Sequence, residues 1–148
     1  MTVKITSELF LSQRIRTELV EHCLVSIPFE ACGFLIGTTG YLKTVFRIKH
    51  AENQATVVNK YTIDPFEYYT LEHSLEGTYL SIIGFYHSHT NGSAHPSRYD
   101  IQDAWPGYSY LITGVTTTQE VAMKSWQLNP KTGASQEEAI NIILEKID

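Results

Sequence analysis

Apolar residues recur at every fourth position at Leu11, Ile15, Leu19 and Cys23. This spacing predicts an amphipathic helix from an N-cap at Thr6 or Ser7, with Glu8 in its first turn, to about Val25, ended by Pro28. Residues 2–6 alternate ahead of it and read as a short edge strand. Residues 29–37 form an apolar run with one carboxylate, Glu30, near its start and a glycine at its close. Its length favours a buried strand over a helix. Residues 42–49 alternate and predict the next antiparallel strand, and the polar residues 51–60 predict a loop or ragged strand. Tyr61-Thr62-Ile63 reads as a short strand. Asp64-Pro65 opens a second helix, since proline is pre-organised for the first helical position. Its apolar side is drawn from Phe66, Tyr69 and residues 71–75, and Gly77 stops it. Strands are predicted at 79–86, 108–115 and 121–128. A turn at 129–133 leads to a terminal helix opened by Ser135-Gln136-Glu137-Glu138, with apolar positions Ala139, Ile142, Ile143 and Ile147. Strands interleaved with helices predict an α/β domain of α+β type, with a mixed, largely antiparallel sheet flanked by helices. No linker or composition break divides the chain, so one domain is expected over residues 1–148.

Composition narrows the partners. The chain has 148 residues, 43% apolar and 18% charged, with a formal charge of −5. Nucleic-acid binding needs a basic footprint that this balance does not supply. No run approaches the roughly 18–20 apolar residues of a membrane span, and the start lacks a basic segment followed by an apolar core. Cys23 and Cys32 are too few for a disulfide framework and too far apart for a zinc knuckle. The expectation is a cytoplasmic protein with reduced thiols and no nucleic-acid or membrane partner.

The candidate chemistry lies in Gly84-Phe85-Tyr86-His87-Ser88-His89-Thr90 and, after a polar loop, Pro96-Ser97-Arg98-Tyr99-Asp100. In an extended segment, side chains at i and i+2 share one face, roughly 6.5–7 Å apart along the strand. His87 and His89 can therefore converge on one ion while Ser88 points away. A catalytic zinc needs three protein ligands and one open position. Asp100 is the candidate third ligand, because residues 90–96 can turn the chain back over the histidines. Ser97-x-x-Asp100 also has the form of a helix capping box, with Ser97 capping a short helix to about Ala104 that Pro106-Gly107 ends. The two readings can coexist, since a helix start is a rigid mount. His95 is the competing third ligand, whereas His22, His50 and His73 read as ordinary surface or hydrogen-bonded histidines.

These residues carry a resemblance. His87-x-His89-Thr90, six residues, then Ser97-x-x-Asp100 is similar to the signature of the JAMM, or MPN-plus, metalloprotease family, and residues 28–37 resemble its glutamate-bearing segment. Tyr61-Thr62-Ile63-Asp64-Pro65 also fits. The one departure is Thr90, where the family usually has a proline that stiffens the loop and binds no metal. The resemblance spans the first helix to about Thr113. It implies an MPN/JAMM fold similar to the cytidine-deaminase-like architecture, and one zinc per chain held by His87, His89 and Asp100 with a water. It further implies Glu30 as general base and Ser97 as a stabiliser of the tetrahedral intermediate.

The implied activity is zinc-dependent hydrolysis after the C-terminal glycine of a ubiquitin-like or sulfur-carrier protein with a Gly-Gly terminus. Residues 51–60 and 90–95 are candidates for lining the groove of such a tail. The alternatives are a zinc peptidase or amidohydrolase on unrelated small substrates, or a catalytically silent MPN scaffold. A zinc nucleobase deaminase is set aside, because its His-x-Glu and Pro-Cys-x-x-Cys signature is absent.

Overall fold

The computed structural model describes residues 7–144. Among them lie seven strands and three helices. In chain order they are β1 (Glu8–Ser12), α1 (Gln13–Ser26), β2 (Cys32–Thr38), β3 (Thr44–Ala51), α2 (Pro65–Leu75), β4 (Ser81–His89), α3 (Arg98–Gln102), β5 (Ser109–Val115), β6 (Val121–Asn129) and β7 (Ala134–Ile143). The edge strand expected at residues 2–6 falls outside the described residues.

The first helix begins later than its periodicity predicts. Ser12, not Thr6 or Ser7, is the N-cap, and its hydroxyl accepts from the Ile15 amide at 3.1 Å. Residues 8–12 alternate instead as a strand: Leu9 and Leu11 are fully buried while Glu8 is exposed. Leu11 thus belongs to β1, and a period of two running into a period of four had read as one helix. Ile15, Leu19 and Cys23 do form the buried face of α1. That face shares a core with Leu9 and Leu11 (β1), Leu35 (β2), Val45 (β3), Ile83 and Tyr86 (β4) and Leu111 (β5), with Met123 (β6) and Ile140 (β7) against it. Every strand contributes, so the sheet wraps the helix. Each large apolar side chain buried there contributes about 1.5–3 kcal/mol.

The sheet is ordered β1-β3-β2-β4-β5-β6-β7 and closes into a barrel through β1 and β7. The β1/β3, β1/β7 and β4/β5 pairs are parallel and the other four antiparallel, so the sheet is mixed. The mixed sheet agrees with expectation, but closure into a barrel was not part of it. Closure comes from β7, where the sequence predicts a helix. Residues 134–143 pair antiparallel with β6 on one side and parallel with β1 on the other. The helical reading failed because Glu138 faces inward: a buried carboxylate breaks the in-out alternation by which a strand is recognised. Of the apolar positions assigned to that helix, Ile142 and Ile143 are half-exposed in the strand and Ile147 is outside the described residues. Tyr61-Thr62-Ile63 has no regular structure rather than forming a strand.

A second core covers the opposite face of the sheet. Tyr68, Leu71 and Leu75 of α2 pack there with Phe34, Phe85, Tyr110 and Ile112. Asp64 caps α2 by accepting from the Phe66 amide, with Pro65 at the first position and left-handed Gly77 (φ 78°) beyond its end. Phe66 and Tyr69, expected on its apolar side, are exposed instead.

Glu138 is the polar knot of the barrel seam. Its buried carboxylate accepts from Lys43, Ser7, Ser125 and Gln127, tying β7 to β6 and to the chain before β1 and β3. Burial opposes ionisation, but the donors, Lys43 first, hold its pKa down to about 2. Glu138→Ala leaves the Lys43 ammonium without its partner, and a loss of about 3–5 kcal/mol is expected in urea unfolding. In the wild type this stabilisation is full above the ordinary value of 4.5 and disappears as pH falls through about 2. The difference between wild type and Glu138→Ala should narrow over that window.

Candidate metal centre

His87 and His89 end β4, on the same face as Phe85, and both are buried. Their Nε2 atoms stand 3.2 Å apart. Asp100 closes the triangle: Oδ1 lies 3.1 Å from His87 Nε2 and Oδ2 2.9 Å from His89 Nε2. Ligands about 2.0–2.1 Å from a tetrahedral zinc stand about 3.3 Å from one another, so each of these contacts is close to a ligand–ligand spacing, the two to Asp100 being made by different oxygens. Glu30 joins them, with one ligand atom each from Glu30, His87 and His89 within 4.8 Å of one another. This cluster is able to hold a metal ion.

Short-range bonds hold each member in place. Ser97 and Asp100 form the full capping box of α3: the Ser97 hydroxyl accepts from the Asp100 amide at 3.1 Å, and Asp100 Oδ2 accepts from the Ser97 amide at 2.8 Å. The cap and the contacts to both histidines therefore coexist at Asp100. His89 Nδ1 is bonded to the Ser93 carbonyl at 3.0 Å, which leaves Nε2 for the cluster. The segment carrying Ser93 lies directly on β5 because residue 114 is glycine. A Cβ there would come within 2.3 Å of the Gly92 carbonyl.

Glu30 sits just before β2 rather than within it. Ser88, between the two histidines, faces the other way and clamps the next residue: its amide donates to the Ala31 carbonyl at 3.0 Å and its hydroxyl accepts from the Ala31 amide at 2.8 Å. The residue that separates the histidines thus brings the carboxylate to them. Asn53 holds the same turn from outside, its amide donating to the carbonyls of Glu30 (3.0 Å) and Lys60 (3.1 Å). Sequence reasoning missed Asn53, Ser88 as a clamp, and Tyr61, whose ring stacks on His87. An asparagine in a polar loop carries no periodic signal, and only the fold brings the loop to the site.

The charges are strongly coupled. Burial pushes Glu30 up to about 7, with His89 opposing and Asp100 adding to the rise. Burial lowers His87. It also acts to lower His89, but the hydrogen bond and charge of Asp100 outweigh it and leave His89 raised. Burial works against Asp100 as well, yet the two histidines and the Ser97 amide hold it far below the carboxylate range. His95 lies outside the cluster against Trp126, with ring centroids 5.3 Å apart. His22 and His50 stack on each other at 3.7 Å, and His73 pairs with Glu76 at 3.3 Å.

Two recesses meet at Asn59, Ser97 and Tyr99. One holds Glu30, His89, Thr90 and Asn91. The other, of about 240 Å³, runs from Asp100 into Tyr68, Phe85, Trp105 and Tyr110.

Two imidazoles from the end of β4, with Glu30 before β2 and Asp100 in α3 beside them, form a buried cluster able to hold a metal ion. The chain belongs to the family described as prokaryotic homologues of the JAB domain, whose model matches residues 12–129. It is 33% identical to a desampylase of Haloferax volcanii over 113 residues, 72% of this chain and 81% of that one. It is 29% identical to a CysO-cysteine peptidase of Mycobacterium tuberculosis over 128 residues, 84% of each. A solution structure of a protein from Desulfitobacterium hafniense superposes with a TM-score of 0.80 at 28% identity, covering 93% of this chain and 94% of that one. A JAB1/MPN domain protein from Archaeoglobus fulgidus shares the fold at a TM-score of 0.55 and 15% identity, covering 88% and 96%.

A raised carboxyl pKa has a stability consequence of definite sign. Folded Glu30 retains its proton to about 7 whereas the unfolded side chain releases it near 4.5, so its ionisation destabilises the metal-free fold as pH rises across that interval. Glu30→Gln removes this cost. In the metal-free protein the variant's Tm should exceed the wild type's at pH 8, and the gain should vanish near pH 4.

Proposed function

We propose that this protein is a zinc metallopeptidase of one domain, residues 1–148, acting in the cytoplasm. It hydrolyses the bond after the C-terminal glycine of a ubiquitin-like or sulfur-carrier protein with a Gly-Gly terminus. The observation that carries this reading is the triangle of His87, His89 and Asp100 with its near-tetrahedral edges of 2.9–3.2 Å. The names of the relatives, a desampylase and a CysO-cysteine peptidase, support the substrate class. His87, His89 and Asp100 are the ligands of one zinc. Bound there, zinc lowers the pKa of water to about 7 and polarises the scissile carbonyl.

Glu30 is the general base. Buried and raised to about 7, it is matched to accept a proton from the attacking water near neutrality. It then delivers that proton to the leaving amine, restoring its own carboxylate as the C–N bond breaks. The Ser97 hydroxyl accepts from the Asp100 amide, which leaves its own hydrogen free to donate to the carbonyl oxygen as charge develops. Such a donor is worth about 3–4 kcal/mol. The shared rim at Asn59, Ser97 and Tyr99, with Lys60 4.8 Å and Arg98 5.3 Å from the Tyr99 ring centre, suits a tail without side chains. Asn59 comes from the segment 51–60, and Thr90 and Asn91 from 90–95.

Purified protein should carry about one zinc per chain, read by elemental analysis. Asp100→Ala should lose it. Glu30→Gln should keep the metal and lose about 100- to 10,000-fold in turnover on a fusion joined after Gly-Gly, followed by mass. A metal-loaded enzyme that leaves every Gly-Gly fusion intact would remove the substrate assignment. Retention of zinc by Asp100→Ala would remove the ligand set. Metal affinity should fall below about pH 6, where protons compete for the imidazoles.

A further inference from the structure

The two histidines are held differently. His89 has the usual outer support, a hydrogen bond from its second ring nitrogen to the Ser93 carbonyl at 3.0 Å. His87 has no such support among the described residues: its Nδ1 is fully buried and without a hydrogen-bond partner there. Something else must fix the rotation of that ring, because a ligand free to turn about χ2 would carry Nε2 out of the triangle.

Tyr61 is placed to do it. Its ring lies on the His87 imidazole with centroids 4.2 Å apart and planes 21° from parallel. Tyr61 is half-buried and lines the same recess as Asp100 and Tyr110. Its backbone is fixed from both sides by one side chain. Asn53 donates to the Lys60 carbonyl at 3.1 Å and accepts from the Thr62 amide at 3.1 Å, the two residues flanking Tyr61. The Gln54 amide donates to the Thr62 carbonyl at 2.9 Å alongside. The same Asn53 amide also binds the Glu30 carbonyl at 3.0 Å. One asparagine therefore joins the Tyr61 segment to the turn carrying the carboxylate.

We propose that Tyr61, mounted by Asn53, is a positioning residue that holds the His87 imidazole in its metal-binding orientation by ring stacking, in place of the hydrogen bond His87 lacks. Stacking constrains the ring plane without a polar partner, which suits a nitrogen buried where none is available. The aromatic ring is what the role requires, not the hydroxyl. This rests on the zinc-site reading above, and the experiment separates the two.

Zinc affinity is measured by chelator competition in wild type, Tyr61→Phe, Tyr61→Leu and Asn53→Ala, alongside the visible spectrum of each cobalt-substituted protein. Loss of outer support typically costs 10- to 100-fold in affinity. Tyr61→Leu should lose about that much and show an altered cobalt spectrum, while Tyr61→Phe stays within about threefold of wild type with an unchanged spectrum. Asn53→Ala, which keeps the Tyr61 side chain but frees its segment, should fall between them, and it serves where Tyr61→Leu does not fold. Wild-type affinity and spectrum in both Tyr61→Leu and Asn53→Ala would overturn the stacking role and leave the zinc site standing. Tyr61→Phe as weak as Tyr61→Leu would overturn it in favour of the hydroxyl. A wild type that binds no zinc would overturn both.

Discussion

Two imidazoles are buried between two carboxylates, Asp100 within hydrogen-bond reach of both and Glu30 within 4.8 Å of them, and this demand governs the surrounding structure. Left to themselves, four such groups would take up water or protons and move apart, since an unpaired buried charge costs several kcal/mol. They stay together because each is tied to backbone. Asp100 accepts the Ser97 amide, His89 is fixed on the Ser93 carbonyl, and Glu30 is brought in by the pairing of Ala31 with Ser88. The coupling appears in the directions of titration: Asp100 driven down, His89 up and Glu30 up. A cation in their midst is what such an arrangement favours.

The elements contribute unequally to that centre. Strand β4 carries both histidines on one face, and turns Ser88 toward the other to fix the neighbouring chain. The five residues of α3 matter less as a helix than as a start, because the capping box ties both the amide and the carboxylate of Asp100 to Ser97. Asn53 and Tyr61 come from a segment without regular structure. Loops of this kind commonly carry function on a rigid scaffold, and here the loop is made rigid by side-chain bonds to its own backbone.

The barrel solves a separate problem. A core that α1 shares with side chains from all seven strands requires the sheet to curl, and β1 and β7 close it. The seam is secured by Glu138, a second buried carboxylate, with four donors and no role in the metal centre. Glu30 and Glu138 are both hidden carboxylates, and their environments drive them in opposite directions. Glu138 meets a lysine and hydroxyls and is held ionised at about 2, whereas burial outweighs the opposing charge of His89 at Glu30 and, with Asp100, raises it to about 7. The first environment suits a structural tie and the second a proton carrier.

What could be read from the chain alone was whatever repeats or sits close in sequence. The i, i+2 histidines, the Ser97-x-x-Asp100 cap, the Asp64-Pro65 helix start and the fourfold spacing of Ile15, Leu19 and Cys23 are local patterns, and local backbone geometry carries each into the structure. The resemblance built on those histidines, Asp100 and Glu30 holds at the level of family. Tertiary structure decided the rest. It made residues 134–143 a strand, since β6 and β1 supply partners on both sides that no local preference reveals. It moved the start of α1 to Ser12, because residues 8–12 pair with β3 and β7. It also set Tyr61 on His87 and Asn53 under Glu30, contacts between residues 26 and 23 positions apart. Sequence periodicity records which face of an element is apolar. Which partner that face meets is settled only when the whole chain has closed.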